Sequence, residues 1–199
     1  MKQNRYEYKF VFYEVDIYSI LQKILIHPAS FNPLFTPRWI NNIYYDTVAL
    51  SSFKENVDGV NTRKKYRLRW YGEDTQPFQN AMVLESKHKE NLEGYKVIVT
   101  DQDFIKTLLI PLNATVQNRY FRHYYISTDG KFRVTIDEKI EHKSPFNHHW
   151  IPEQYKLVVE LKFDKTEVDE SKWILDHLKF RQSKNSKYAS GIELVGALI

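Results

Sequence analysis

Residues 61–72 read NTRKKYRLRWYG. Taken as a β-strand, this stretch places Arg63, Lys65, Arg67 and Arg69 on one face and Lys64, Tyr66, Leu68 and Trp70 on the other. Like charges spaced roughly 6–7 Å apart repel one another unless something negative lies over them. The aromatic side needs covering by other parts of the chain. The fold must therefore hide one side of this strand under apolar layers and turn the other toward an anion.

The same division recurs along the chain. In RYEYKFVFYE, Tyr6, Tyr8, Phe10 and Phe12 oppose Arg5, Glu7, Lys9 and Val11. AMVLESKHKE groups Val83, Glu85, Lys87 and Lys89, and KFRVTIDEKI groups Arg133, Thr135 and Asp137. EQYKLVVELKF sets Tyr155, Leu157, Val159, Leu161 and Phe163 against Lys156, Val158, Glu160 and Lys162. RWINNIYYDT and TVQNRYFRHYYIS read as further strands, whereas HPASFNPLFTP, with three prolines, reads as loop. Helical spacing marks VDIYSILQKILI behind an Asp16 N-cap, a short turn reaching Phe53, TDQDFIKTLLI, TEVDESKWILDHLKF and SKNSKYASGIELVGAL. In the fourth of these, Val168, Trp173, Ile174 and Leu178 lie near one face. With no repeat, linker or low-complexity segment, residues 1–199 read as one α+β domain.

Two architectures satisfy this pattern. One is an antiparallel sheet with a solvated Lys/Glu face, whose surface pairs contribute about 0–1 kcal/mol each. The other is a barrel turned inside out, with helices over its apolar exterior and charge lining a wet tunnel. Tyr6, Phe10, Tyr66, Leu68, Trp70, Phe132, Val134 and Ile136 are too much apolar material to leave bare, which favours the second. So does the use of arginine, whose planar fork suits phosphate oxygens. Glu7, Glu85, Asp137 and Glu160 are then available for a divalent ion, since Mg²⁺ or Mn²⁺ takes one or two carboxylates plus phosphate oxygens.

Composition narrows the alternatives. Aromatics make up 15% of the chain, with 14 Tyr and 12 Phe against 6 Gly, which favours long, bulky strands over a glycine-rich nucleotide fold. The absence of cysteine excludes disulfides, thiolate metal sites and cysteine nucleophiles. A net charge of +4, from 29 basic and 25 acidic residues, is too balanced for a generic polyanion binder, so placement carries the information. The aromatics fall on the faces opposite the arginines, which argues against a base-stacking nucleic-acid platform. His148 and His149 read as a solvated loop pair, Trp39 and Trp70 as packing residues. No apolar run approaches the ~20 residues of a membrane span, and MKQNRYEYKF lacks a signal-peptide core. The expected location is the cytoplasm, with recruitment to a membrane by a protein partner as an option.

RYEYKF, NNIYYDT, RKKYRLRWYG, LESKHK and SKYASGI occur in the order and spacing of the VTC domain. Over residues 5–195 the chain resembles that family, the polyphosphate polymerase domain within the CYTH, or triphosphate tunnel metalloenzyme, superfamily. The resemblance implies an antiparallel eight-stranded β-tunnel, a closed barrel with helices packed outside. It implies ATP or another triphosphate and polyphosphate as ligands, Mn²⁺ or Mg²⁺ as cofactor, and no nucleic acid. By motif, Lys9, Arg67, Arg69 and Lys87 carry the catalytic role, and Lys184, Lys187 and Arg119 contact phosphate. Arg63, Lys65, Arg133 and Lys162 are added as phosphate contacts, while Glu160 matches the metal-binding glutamate and Glu7 and Asp137 extend the metal set. Arg5 stands where the wider superfamily has the first of its alternating glutamates, pointing to the VTC branch. The implied reaction moves the γ-phosphate of ATP onto a polyphosphate chain. Alternatives are an inorganic triphosphatase or polyphosphatase in the same tunnel, and a non-catalytic phosphate-chain binder.

Overall fold

The computed structural model describes residues 5–76, 82–90, 93–98 and 111–196. In chain order the elements are β1 (Arg5–Tyr13), α1 (Ile17–Leu25), β2 (Asn32–Asp46), α2 (Ser51–Val57), β3 (Thr62–Tyr71) and β4 (Val83–Glu90). There follow β5 (Glu93–Ile98), β6 (Asn113–Ile126), β7 (Arg133–Lys143), β8 (Ile151–Pro152) and β9 (Lys156–Asp164). A 3₁₀ turn (Lys165–Glu167) leads into α3 (Val168–Leu178), and α4 (Lys187–Gly196) comes last. The expected helix TDQDFIKTLLI lies outside the described residues.

All strands join one antiparallel sheet in the order β6-β2-β3-β4-β5-β1-β9-β7-β8, with β6 also pairing β7. The thinnest link is β1 to β5, a single register pair, Arg5 with Gly94. Beside it the chain leading into α4 takes over. Ser183 donates its N–H to the Lys9 carbonyl at 2.8 Å, and its hydroxyl accepts from Val11 N–H at 2.9 Å.

The apolar strand faces are covered as the alternation demands. Asp16 Oδ2 accepts from the Ser19 N–H at 3.3 Å and starts α1, which buries Ile20 and Ile24. With Ile174 and Leu178 of α3, these pack on Phe10 of β1, Phe132, Val134 and Ile136 around β7, and Val159, Leu161 and Phe163 of β9. Full burial of each such side chain stabilises the fold by about 1.5–3 kcal/mol. The edges of the expectation shift: Trp173 is 43% exposed, and Tyr155 turns outward at φ 55° just before β9.

Two strand expectations are corrected. β2 begins at Asn32 and runs through the proline-rich stretch read as loop. Its first half pairs only with β6, because β3 joins from Ile40 onward, so Pro33 and Pro37 sit at a free edge broken by register shifts. β5 is a strand that the alternation does not mark. Glu93–Ile98 is short and contains Gly94, but it is recruited as the second arm of a hairpin with β4.

Candidate active site

The β3 cations share one face in the structure, and each meets a different group. Arg67 donates through Nε at 2.7 Å and Nη2 at 2.6 Å to Glu85 Oε2 on the neighbouring strand β4. Arg69 donates to Asn42 Oδ1 at 2.8 Å and to the Tyr120 hydroxyl at 3.1 Å. Asn42 is itself held, its amide donating to Asn118 Oδ1 at 2.9 Å, so β2 and β6 aim the β3 arginine. Lys65 reaches Asn56 Oδ1 and Ser186 Oγ, and Arg63 donates to the Asn56 carbonyl, which places both toward α2.

Across this face Glu7 and Glu160 sit side by side and share two lysines. Lys9 Nζ lies 3.0 Å from Glu7 and 3.5 Å from Glu160, and Lys162 Nζ lies 3.8 Å from Glu7 and 2.6 Å from Glu160. Lys87 Nζ is 3.5 Å from Glu7. Burial and the Glu160 charge push the Glu7 carboxyl up, but Lys87, Lys9 and Lys162 outweigh them and hold it below the usual carboxylate range. Glu160 is likewise held down against burial by Lys162, Lys9 and Arg122. Glu7 supports the charged form of Lys87, yet burial and the neighbouring Lys9 and Arg67 bring this ammonium down to about 8.

A third knot joins β6, β7 and α4. Arg122 forms two parallel bonds to Asp137, at 2.5 and 2.6 Å, and reaches Glu160 at 3.4 Å. Lys187, the first residue of α4, donates to Asp137 Oδ2 at 2.5 Å and stands 4.5 Å from the Tyr120 ring centre. Burial raises the Tyr120 phenol, but Arg69, Arg122 and Lys187 bring it down to about 8. Lys9, Arg67, Arg69, Lys87, Arg122, Lys162 and Lys187 thus share the four carboxylates of Glu7, Glu85, Asp137 and Glu160. Among the described residues, seven cations against four anions leave this network positively charged.

The quoted sequence motifs explain how α4 reaches inward. Asp46, at the end of NNIYYDT, accepts from the N–H groups of Thr47, Ser52 and Phe53 and from the Tyr188 hydroxyl at 2.5 Å. One buried carboxylate therefore ties the start of α2 to α4. In SKYASGI, Gly191 permits the approach: a Cβ there would lie 2.6 Å from His142 Nδ1 and 2.9 Å from a Val116 methyl. Lys9 Nζ also donates to the Asn185 carbonyl at 3.1 Å, pinning the segment before the helix.

Several sequence-derived assignments change place. Arg119 lies on the other side of β6 from this network. It pairs with Glu141 at 2.7 Å, its guanidinium 4.9 Å from the Trp39 ring and 4.8 Å from that of Trp150. The arginine that β6 delivers to the network is Arg122, which shares a face with Asn118 and Tyr120 in NRYFR. Asp137 has both oxygens engaged by Arg122 and Lys187, so it acts as an anchor for cations. Arg133 is exposed in register with Lys162, and Lys184 is exposed ahead of α4. His148 and His149 are exposed in the loop before β8. The expectation that aromatics oppose the arginines holds for Tyr66 and Trp70 of β3 but fails at Tyr71 of the same strand, at Tyr44 of β2 and at Tyr120 and Tyr124 of β6, which share the cations' face. That face is also partly apolar, since Ile40, Ile140 and Val158 pack with Tyr120 there.

Among the described residues no group of three or more His, Cys, Asp or Glu side chains could hold a metal. Glu7 and Glu160 are two adjacent carboxylates. They fit a Mg²⁺ or Mn²⁺ ion whose remaining positions come from phosphate oxygens and water, the usual mode for such ions with phosphate substrates.

These features define an antiparallel, sheet-based α+β protein with a one-sided basic site, an architecture found in solved structures of low sequence identity. A candidate adenylate cyclase of Vibrio parahaemolyticus shares 14% identity at a TM-score of 0.59, covering 94% of this chain and 96% of that one. The PH1819 protein of Pyrococcus horikoshii shares 15% identity at 0.58, covering 95% and 99%. The Mediator head module of Schizosaccharomyces pombe matches at 0.54 with 8% identity, covering 87% and 94%, so the fold alone does not specify an activity. The VTC domain model matches residues 4–109 and 102–195, and the chain belongs to the VTC domain family. No curated protein matches the chain in sequence. No helix among the described residues is long and apolar enough to cross a membrane.

Proposed function

We propose that residues 1–199 act as a single triphosphate-tunnel domain whose eight long strands curl around the basic network, and that it is a metal-dependent, polyphosphate polymerase-like phosphotransferase. The observation that carries this reading is the charge imbalance: among the described residues, seven cations share four carboxylates on one face. A triphosphate carries about four negative charges near neutral pH and supplies the missing counter-charge. Membership of the VTC domain family supports the same ligand class.

Lys9, Lys87, Arg67 and Arg69 would grip the phosphates and hold the γ-phosphorus in line with an acceptor phosphate, which attacks it as ADP leaves. Arg122 and Lys187 are fixed by Asp137, so their charge is oriented before substrate arrives. Arg63, Lys65, Lys162, Arg133 and Lys184 extend the basic surface. Glu7 and Glu160 would hold Mg²⁺ or Mn²⁺, which neutralises phosphate charge when bound. No protein nucleophile is needed, because positioning and charge stabilisation account for most of the rate in phosphoryl transfer.

A second reading uses the same residues with water as acceptor, making the domain a triphosphatase or polyphosphatase. The deciding experiment incubates the protein with labelled ATP and Mn²⁺ or Mg²⁺, with and without a short polyphosphate primer, beside an Arg67→Ala/Arg69→Ala double variant. A ladder longer than the primer, missing from the variant, establishes the polymerase. Free phosphate without a ladder establishes the hydrolase. Phosphate-chain binding with neither product reduces the domain to a binding module, and a need for a further protein, such as a membrane partner in the cytoplasm, would show as activity restored on its addition.

A further inference from the structure

At one end of the cations' face lies a group of side chains that the phosphate chemistry does not use. Arg38 of β2 is exposed, with its guanidinium 4.4 Å from the Tyr71 ring centre, 5.3 Å from that of Tyr124 and 5.7 Å from that of Phe35. Its Nε donates to the Tyr124 hydroxyl at 3.4 Å, and the Phe35 and Tyr124 rings meet edge to face at 5.5 Å. Phe35 and Tyr71 are nevertheless 53% and 42% exposed, so large aromatic surfaces face open space.

The position of this cage follows from register. Arg38 stands opposite Arg122, and Tyr71 opposite Ile40. Along their own strands Tyr71 and Tyr124 are two residues from Arg69 and Arg122, roughly 7 Å away on the same face. That is the scale of a ribose and its linkage to the first phosphate. Between the cage and the carboxylates stands Thr135, in register with Tyr124 on one side and Glu160 on the other. It is 7% exposed, and its buried hydroxyl oxygen has no hydrogen-bond partner among the described residues. A buried, unsatisfied hydroxyl on the path from the rings to Glu160 points to a polar ligand group at that place.

We propose that Phe35, Arg38, Tyr71 and Tyr124 form a nucleobase-binding mouth, so that the ligand is a nucleoside triphosphate seated with its phosphates on the basic network and its base against the rings. This rests on the triphosphate reading of that network. Arg38 makes the cage unsuitable for an organic cation, whereas guanidinium and aromatic planes both stack on a base. Stacking tolerates every base, because each has a π-face. ATP and GTP should therefore bind alike, and both more tightly than inorganic triphosphate.

The test is calorimetric titration of the whole chain, in Mg²⁺, with ATP, GTP and tripolyphosphate, for the wild type and a Phe35→Ala/Tyr71→Ala variant. Unchanged far-UV circular dichroism and melting midpoint will certify the fold of the variant. The expected result is that both nucleotides bind the wild type about tenfold or more tightly than tripolyphosphate. In the variant this preference falls to within about twofold, while tripolyphosphate affinity stays within twofold of the wild type. Equal wild-type affinity for ATP and tripolyphosphate, or a preference retained by the folded variant, overturns the nucleobase mouth and leaves the phosphate site standing. Failure of the wild type to bind any of the three overturns the triphosphate reading and the mouth with it.

Discussion

Arg122 and Asp137 meet through two parallel hydrogen bonds, Nε to Oδ1 at 2.5 Å and Nη2 to Oδ2 at 2.6 Å, with Asp137 fully buried. This pair joins β6 to β7 and fixes the arginine that the basic network receives from β6. Removing Arg122 leaves a buried carboxylate with Lys187 as its remaining cation. Arg122→Ala should cost about 3–5 kcal/mol in urea unfolding. Arg119→Ala, which breaks a partly exposed pair on the opposite face, should cost about 1 kcal/mol or less and leave tripolyphosphate affinity within twofold. Equal binding defects in the two variants would contradict the placement.

Glu160 touches Lys9, Lys162 and Arg122. Glu160→Gln should lower metal-dependent turnover of ATP at least about a hundredfold, the scale of losing a preorganised electrostatic group. Without metal, the same variant should bind tripolyphosphate as tightly as the wild type or more tightly, because one negative charge has left the site. A loss of metal-free binding would show that Glu160 serves only to order the lysines. Chelation of the wild type should abolish turnover while sparing binding.

The Lys87 ammonium titrates at about 8, lowered by burial and by Lys9 and Arg67 despite Glu7. It is charged below that pH and neutral above, so its attraction for phosphate is present at pH 7 and lost as pH rises through 8. Tripolyphosphate affinity should fall between pH 7 and 9. Lys87→Arg, which keeps its charge throughout, should flatten the profile. An unchanged slope in the variant would assign the titration elsewhere, with Tyr120 the next group to test.

His27 is buried, accepting the Ala29 N–H on Nδ1 at 3.0 Å and donating from Nε2 to the Ile174 carbonyl at 3.1 Å. Both bonds fit the neutral ring. Burial, assisted by His177, lowers its pKa despite the bond to Ile174. The unfolded chain therefore binds the proton more readily, so the stability contributed by neutral His27 is present above its ordinary value near 6.5 and is lost as pH falls below it. The melting midpoint should decline on acidification below pH 6.5, and His27→Gln should reduce that decline.

Asp46 accepts three backbone N–H groups and the Tyr188 hydroxyl. Asp46→Ala should destabilise by about 2–4 kcal/mol and Tyr188→Phe by about 1–2 kcal/mol, measured by urea unfolding. Because α4 carries Lys187, the first change should also weaken tripolyphosphate binding. Intact binding in a destabilised variant would mean that Lys187 is not needed for it.

The alternation of apolar and charged residues marked, from sequence alone, β1, β3, β4, β6, β7 and β9 and which of their faces are apolar. Period-two patterning is local, so Phe10, Val134 and Leu161 declared their burial without knowledge of their partners. The Asp16 cap and the apolar spacing of α1 were legible for the same reason. The alternation in NRYFR groups Arg122 with Asn118 and Tyr120, but it does not say whether that face of β6 or the face of Arg119 turns inward. Arg119 and Arg122 are both plausible from sequence, and only pairing with β2 and β7, with a register shift between Arg119 and Phe121, assigns Arg122 to the basic network. The extent of β2 was equally non-local, since prolines are tolerated only where one edge of the strand lacks a partner. Tertiary structure alone also set the roles of the acids. Asp137 and Glu160 are alike in an alternating strand, but Arg122 and Lys187 occupy one from both sides, while the other stands beside Glu7 with two shared lysines. Sequence placed these charges on faces; folding chose their neighbours, and the neighbours determine which charges are anchored and which are available to a ligand.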